Sequence, residues 1–138
     1  MPTLAVFAVL RDEARDRASA ARMSELLRRG LESIDIARSA GVVIGHGTDL
    51  HHGAHHRQPE ELLLRRAVMS NAEILRTATL GNATIMGIAD EVGTIAEGGR
   101  ADLLMIEEDP LDDLAVLAAP GRTVKAVIGG RHFLIERR

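Results

Sequence analysis

The sequence predicts an α/β fold with a β-rich tail. A short apolar run at residues 4–10, a long stretch of helix formers over 12–40 and a second apolar run at 42–44 succeed one another in the order of a βαβ unit. Beyond Asp90 the character changes, as Gly93, Gly98, Gly99 and Pro110 punctuate short apolar segments. With 138 residues, 46% hydrophobic and 27% charged, the chain has the balance of a globular domain, which excludes disordered, collagen-like and fibrous classes.

Each element has its own local reason. The run from Leu4 to Leu10 is short and apolar enough for a fully buried strand. Met23, Leu26, Leu27, Ile34 and Ala37 recur near a 3.6-residue period with Arg and Glu between them, giving a long amphipathic helix with a candidate break at Gly30. Gly41 suits a left-handed residue closing that helix, and Val42, Val43 and Ile44 then read as a second buried strand. A polar loop follows over 51–58. Pro59 suits a first helical turn, with Glu60 and Glu61 near the positive N-terminus of a helix over 62–69. Ser70 with Glu73 three residues on has the capping-box form and predicts a fresh helix through Ile74, Leu75, Ala78, Ile85 and Met86 that stops at Gly87. In the tail, residues 103–106 read as a strand closed by the turn signal at 108–110, and residues 124–128 and 131–135 flank the two-residue glycine turn of a hairpin.

Several functions are excluded by composition. A net charge of −3, a pI near 6.1 and the absence of Tyr and Trp leave neither a broad basic face nor a stacking platform for nucleic acid. The apolar run at 4–10 is too short to span a membrane, has no basic residue before it, and meets Arg11 directly. With no cysteine there is no disulfide framework, which points to a cytoplasmic setting. No Gly-x-Ser-x-Gly elbow, phosphate-cradling glycine loop or dinucleotide fingerprint is present.

What remains is one carboxylate and a histidine cluster. Asp49 follows Gly45, His46, Gly47 and Thr48 at the C-terminal end of the second strand, the end where α/β architectures bind ligands. There it can ligate a metal, take a proton, or simply cap a loop. Five of the six histidines lie between positions 46 and 56. His51 with His55, or His52 with His56, would converge on one ion only in a helical segment. Gly53 and Pro59 favour instead a loop facing solvent or substrate, and His46, in parity with Val42 and Ile44, faces packed helices as a structural residue. The arginines of the long helix, interleaved with Asp and Glu, are most simply a solvated face.

The residues resemble a known family. Residues 41–44 leading to Gly47, Thr48 and Asp49, then a His- and Gln-containing loop to Glu61 and Leu62, then residues 72–79, are similar to the eighth strand and helix of the amidohydrolases. The likeness is to the branch with imidazolonepropionase and Xaa-Pro dipeptidase-like enzymes. Gly93, Thr94 and Ile95, Gly98, residues 101–104, Asp109, Pro110 and Leu111, and the closing residues 127–131 resemble that family's return to its small β domain. The resemblance implies the last two βα units of a (β/α)8 TIM-type barrel over 1–89, followed over 90–138 by part of a C-terminal β-sandwich domain. It also implies hydrolysis of carbon–nitrogen bonds in small amide or cyclic-amide substrates by water activated on a divalent metal, zinc or similar. Asp49 matches the aspartate that ligates metal, takes the proton from water and passes it to the leaving amine. His51, His52, His55 and His56 would help shape the substrate pocket.

The same resemblance implies that most of the metal site lies outside these residues. The family's His-x-His, its carboxylated lysine and its two further histidines have no counterpart here, since the single lysine, Lys125, lies in the tail hairpin. A complete barrel takes about 250 residues, so the expectation is a C-terminal portion inactive in isolation. Two other readings stay open: a binding or self-associating module whose open sheet edges are covered by another copy, and a small metal-binding protein built on the histidine loop.

Overall fold

The computed structural model describes residues 1–118 together with the backbone of two strands at 123–128 and 131–134. Helices α1 (Ala5–Asp12) and α2 (Arg17–Ser39) pack together, then a 3-10 helix (His52–Arg57) leads to α3 (Glu60–Arg65). Next come α4 (Asn71–Arg76), a π-helical turn (Thr77–Gly81) and α5 (Asn82–Met86), which run on as one rod. The tail holds β1 (Leu103–Ile106), a 3-10 turn (Leu114–Leu117), β2 (Thr123–Ile128) and β3 (Arg131–Leu134).

The run at 4–10 is a helix, not the expected strand. Its burial follows a helical face, with Ala5, Ala8 and Val9 inside. Its first turn is capped from a distance by the Glu61 carboxylate, which accepts the N–H groups of Leu4 and Ala5 at 2.7 Å each. An apolar run is compatible with either conformation, and a partner 57 residues away decides it. The long helix starts later than expected, at Arg17, where Asp16 accepts the Ser19 N–H at 2.8 Å. It also runs unbroken through Gly30. That glycine lets α1 approach, since a Cβ there would stand 2.6 Å from the Leu4 side chain. Gly41, at φ +67°, closes α2 as expected: its N–H reaches the Arg38 carbonyl and the Val42 N–H reaches Ala37.

Residues 42–44 form no strand. Val42 and Val43 are 58% and 52% exposed, and residues 43–50 make no backbone–backbone hydrogen bond among the described residues. A strand is defined by its hydrogen-bonded neighbour, and no described segment pairs its backbone with these residues. No parallel sheet, and so no βαβ unit, occurs among the described residues.

The later elements follow the sequence closely. The predicted helix at 62–69 begins at Glu60 and gives way to turns after Arg65, while the capping box of Ser70 and Glu73 forms in full. The helix beyond it ends at Gly87, φ +73°. Residues 103–106 are a strand, and β1, β2 and β3 make an antiparallel meander in that order with a register irregularity between Met105 and Ile106. Ile128 pairs with Arg131, the register of a two-residue loop; residues 129–130 lie outside the described residues.

One buried ion pair joins these pieces. Glu61 and Arg65, one helical turn apart in α3, are both fully buried with Arg65 Nε 2.8 Å from Glu61 Oε1. The Arg65 guanidinium also donates to the carbonyls of Gly45 (3.0 Å) and Pro2 (2.8 Å) and to Thr77 Oγ1 (3.3 Å). Around this hub Leu4, Ile34, Met69, Ile74 and Leu114 form the main apolar cluster, and Ala5, Val9, Leu50 and Ala54 a second.

Burial decides which ion pair matters. Glu61→Ala strands a buried guanidinium and two helix N–H groups, and is expected to cost about 3–5 kcal/mol of unfolding free energy. Arg28→Ala, which breaks the exposed pairs with Glu25 and Glu32, is expected to leave the unfolding midpoint nearly unchanged, because solvent screens those pairs. Urea unfolding of the two variants checks this, and equal losses would refute the assignment.

Candidate functional site

The segment leading to Asp49 is held by side chains and close approaches, with no strand pairing among the described residues. Gly81 lacks the Cβ that would stand 2.5 Å from the Ile44 carbonyl oxygen, so the π-helical turn comes directly against the chain there. The next residue, Asn82, clamps His46 as a neighbouring strand would. Its Oδ1 accepts the His46 N–H at 2.8 Å and its Nδ2 donates to the His46 carbonyl at 3.0 Å. Gly45 is fixed by Arg65, and Leu50 is buried against Ala5, Val9 and Ala54.

Between these anchors stands Asp49, at the expected end of the segment. Its φ of +52° makes it the one non-glycine residue in the left-handed region among those described, a conformation Asp tolerates better than most. The side chain is exposed, and its carboxylate has no hydrogen-bond or ion-pair partner among the described residues.

The histidine segment is a 3-10 helix and not the expected loop, so the residues that face one another are three apart and not four. His52 and His55 lie with ring centroids 5.9 Å apart, tilted by 46°. His55 Nε2 donates to the Leu50 carbonyl at 3.0 Å, while His51 Nε2 turns away to Glu13 at 3.3 Å. His56 lines a recess of about 450 Å³ with Arg57, Pro59 and Leu63. Arg57 anchors the segment by pairing with Glu60 and with Asp12, and its hydrogen bonds hold the Asp12 carboxyl below the ordinary range. The structure therefore joins His52 to His55 and leaves Asp49, His51 and His56 apart from that pair. Among the described residues no three His, Asp or Glu side chains come together to hold a metal ion.

His46 takes the structural place expected of it. Burial, and then the charge of Arg65, push its imidazole down to about 4, and its Nδ1 is buried without a partner among the described residues. The residues missed by sequence reasoning are Arg65 and Asn82, together with the capping role of Glu61. The pair at 61 and 65 carried a signal, opposite charges one helical turn apart flanking three leucines, whereas Asn82 carried none.

Behind the segment, on the helix side, lies a cleft of about 410 Å³ floored by Val43, Ile44, Met69 and Leu80 and rimmed by Arg38 and Arg76. No described helix is long and apolar enough to cross a membrane.

Known proteins resemble this chain in sequence and in overall structure. The amidohydrolase family profile matches residues 6–132, and the chain belongs to that family. Ochratoxinase of Aspergillus niger is 29% identical over 129 residues, 93% of this chain and 27% of that protein. Imidazolonepropionase of Caldanaerobacter subterraneus is 34% identical over 76 residues, 52% of this chain and 18% of that protein. Among solved structures, a prolidase complexed with N-methylphosphonate-L-proline superposes with a TM-score of 0.87 at 31% identity, over 98% of this chain and 34% of its own. The chain thus spans about a third or less of the proteins it matches.

The depressed imidazole gives a pH prediction with a definite sign. His46 titrates near 6.5 when unfolded and near 4 when folded, so between those values the unfolded chain holds the extra proton. Stability contributed by keeping His46 neutral is expected to be complete above about pH 6.5 and to be lost as pH falls towards 4. Urea unfolding across that range checks it: His46→Leu flattens this part of the profile, and an unchanged profile in the variant would refute the assignment.

Proposed function

We propose that the chain supplies the Asp49 side of an amidohydrolase active site acting on carbon–nitrogen bonds of small amide or cyclic-amide substrates. On this reading residues 42–49 are the eighth strand of a (β/α)8 barrel, α4 and α5 are its helix, and the chain from residue 90 belongs to the small β domain. The carrying observation is the free, exposed carboxylate of Asp49, displayed between two anchored residues.

That carboxylate is suited to proton transfer. As a water oxygen bonds to the substrate carbonyl carbon, Asp49 accepts the water's proton; as the carbon–nitrogen bond breaks, it returns that proton to the departing nitrogen, which keeps the bonding pair. His51, His52, His55 and His56 would border the substrate, on the 3-10 helix immediately after it. The family implies a divalent ion that polarises the carbonyl and activates the water. Catalytic zinc takes about three protein ligands, and the described residues do not fit that requirement, so Asp49 would be one ligand of a set completed by other polypeptide.

A second reading, self-association, is favoured by the exposed Val42 and Val43 beside a stretch at 43–50 that makes no main-chain hydrogen bond to other described main chain. A strand from a second copy would cover that edge. Light scattering decides it: a discrete oligomer that Val43→Lys dissociates supports it, and a monomer removes it.

The activity proposal is tested on the 138-residue chain with added zinc or manganese and an N-acyl amino acid or cyclic amide. The expected result is no turnover above the uncatalysed rate. Turnover abolished by Asp49→Asn would refute the incompetence of the isolated chain while supporting the role of Asp49; turnover surviving that substitution would overturn both.

A further inference from the structure

Two of the four clustered histidines, which the hydrolase reading places only at the border of the substrate, are arranged for a further purpose. In a 3-10 helix residues three apart eclipse one another, and this brings His52 above His55. The 5.9 Å between ring centroids is close to what one metal ion demands. With metal–nitrogen bonds of about 2.0–2.1 Å, two imidazoles on a tetrahedral ion have centroids about 5 Å apart, so an adjustment of about 1 Å in exposed side chains suffices.

The protonation pattern points the same way. A carbonyl oxygen can only accept, so the contact of His55 Nε2 with the Leu50 carbonyl at 3.0 Å places the proton of the neutral ring on Nε2. Nδ1 is left with its lone pair free. A second ring nitrogen tied to a backbone carbonyl is the arrangement that orients metal-ligating imidazoles and fixes their tautomer. The Leu50 anchor is itself immobilised, because its side chain is buried against Ala5, Val9 and Ala54. His52 makes no hydrogen bond to any described residue, so its ring is available to turn towards the ion.

We propose that His52 and His55 form a two-imidazole site for a borderline divalent first-row cation, zinc or copper, with water completing the coordination. Nitrogen donors select such ions over magnesium and calcium, which prefer oxygen. This site involves neither Asp49 nor the hydrolytic role proposed for it, so the two proposals fail independently.

Calorimetric titration of the whole chain with zinc chloride at pH 7.5 tests it, beside imidazole nitrogen NMR spectra. One zinc is expected to bind per chain, shifting His55 Nδ1 and leaving Nε2 protonated, while magnesium chloride produces no heat. His52→Asn is expected to weaken zinc binding by more than about tenfold with no change in thermal midpoint in the absence of metal, since His52 holds nothing else in place. His55→Asn should weaken zinc binding likewise, and Asp49→Asn and His56→Asn should leave the affinity unchanged. Absence of zinc binding, full affinity in His52→Asn, loss of binding in Asp49→Asn, or equal binding of magnesium would overturn the proposal.

Discussion

The Glu61–Arg65 pair is the constraint on which the rest of the structure depends. Removing two charges from water costs several kcal/mol per ion, and attraction between them offsets that only when every remaining donor and acceptor is also used. Here each nitrogen and oxygen of the pair has a partner: the carboxylate receives the first N–H groups of α1 with its second oxygen, while the guanidinium reaches Pro2, Gly45 and Thr77. The partners belong to three stretches of chain besides α3 itself, and most are main-chain groups. The main-chain partners would lose these hydrogen bonds if the pair were replaced by leucine and methionine of equal volume, whereas Thr77 would keep its bond to the Ile74 carbonyl. The pair is therefore a joint, and its value lies in fixing where α1, α3, the 42–50 segment and the π-helical turn meet.

Through that joint the site inherits its geometry. Arg65 holds the Gly45 carbonyl, Asn82 holds both main-chain groups of His46, and Gly81 permits the close approach that makes the Asn82 clamp reachable. A segment lacking hydrogen-bonded strand neighbours is thus positioned by side chains projecting from the helical layer behind it. No described strand pairs with the segment, and the valines that a neighbouring layer would bury stand half in solvent.

Local chemistry was legible in the sequence, and long-range chemistry was not. The capping box at Ser70 and Glu73, the left-handed glycines at 41 and 87, and the strands at 103–106 and in the tail hairpin are each decided within a few residues. The conformation of residues 4–10 depends instead on a carboxylate far along the chain, and that of 42–44 on a neighbour that the sequence pattern takes for granted. The histidine segment failed differently. Gly53 and Pro59 rightly argued against an α-helix, but a 3-10 helix accommodates both and changes the pairing from four residues apart to three. At the site, the placement of Asp49 after an apolar segment was readable; the clamp that fixes it was not, because one asparagine in a helix has no pattern.

Leu50 explains why the carboxylate and the histidines, though separate, are not independent in shape. Its buried side chain stops the chain immediately after Asp49 and so sets the direction from which that carboxylate emerges, while its carbonyl orients the His55 ring. The surface that receives Leu50 is made by Ala5 and Val9 of α1, and the start of α1 is fixed by Glu61. A shift of α1 by one residue along its axis, about 1.5 Å, would therefore displace Asp49 and the His52–His55 pair together. The far end of α1 resists that shift, since Asp12 is bound by Arg57 and Glu13 lies against His51, so both ends of the helix are tied to the segment it supports. The two proposed chemistries thus rest on one short helix, and the buried carboxylate at its head, outside both proposed sites, fixes the start of that helix.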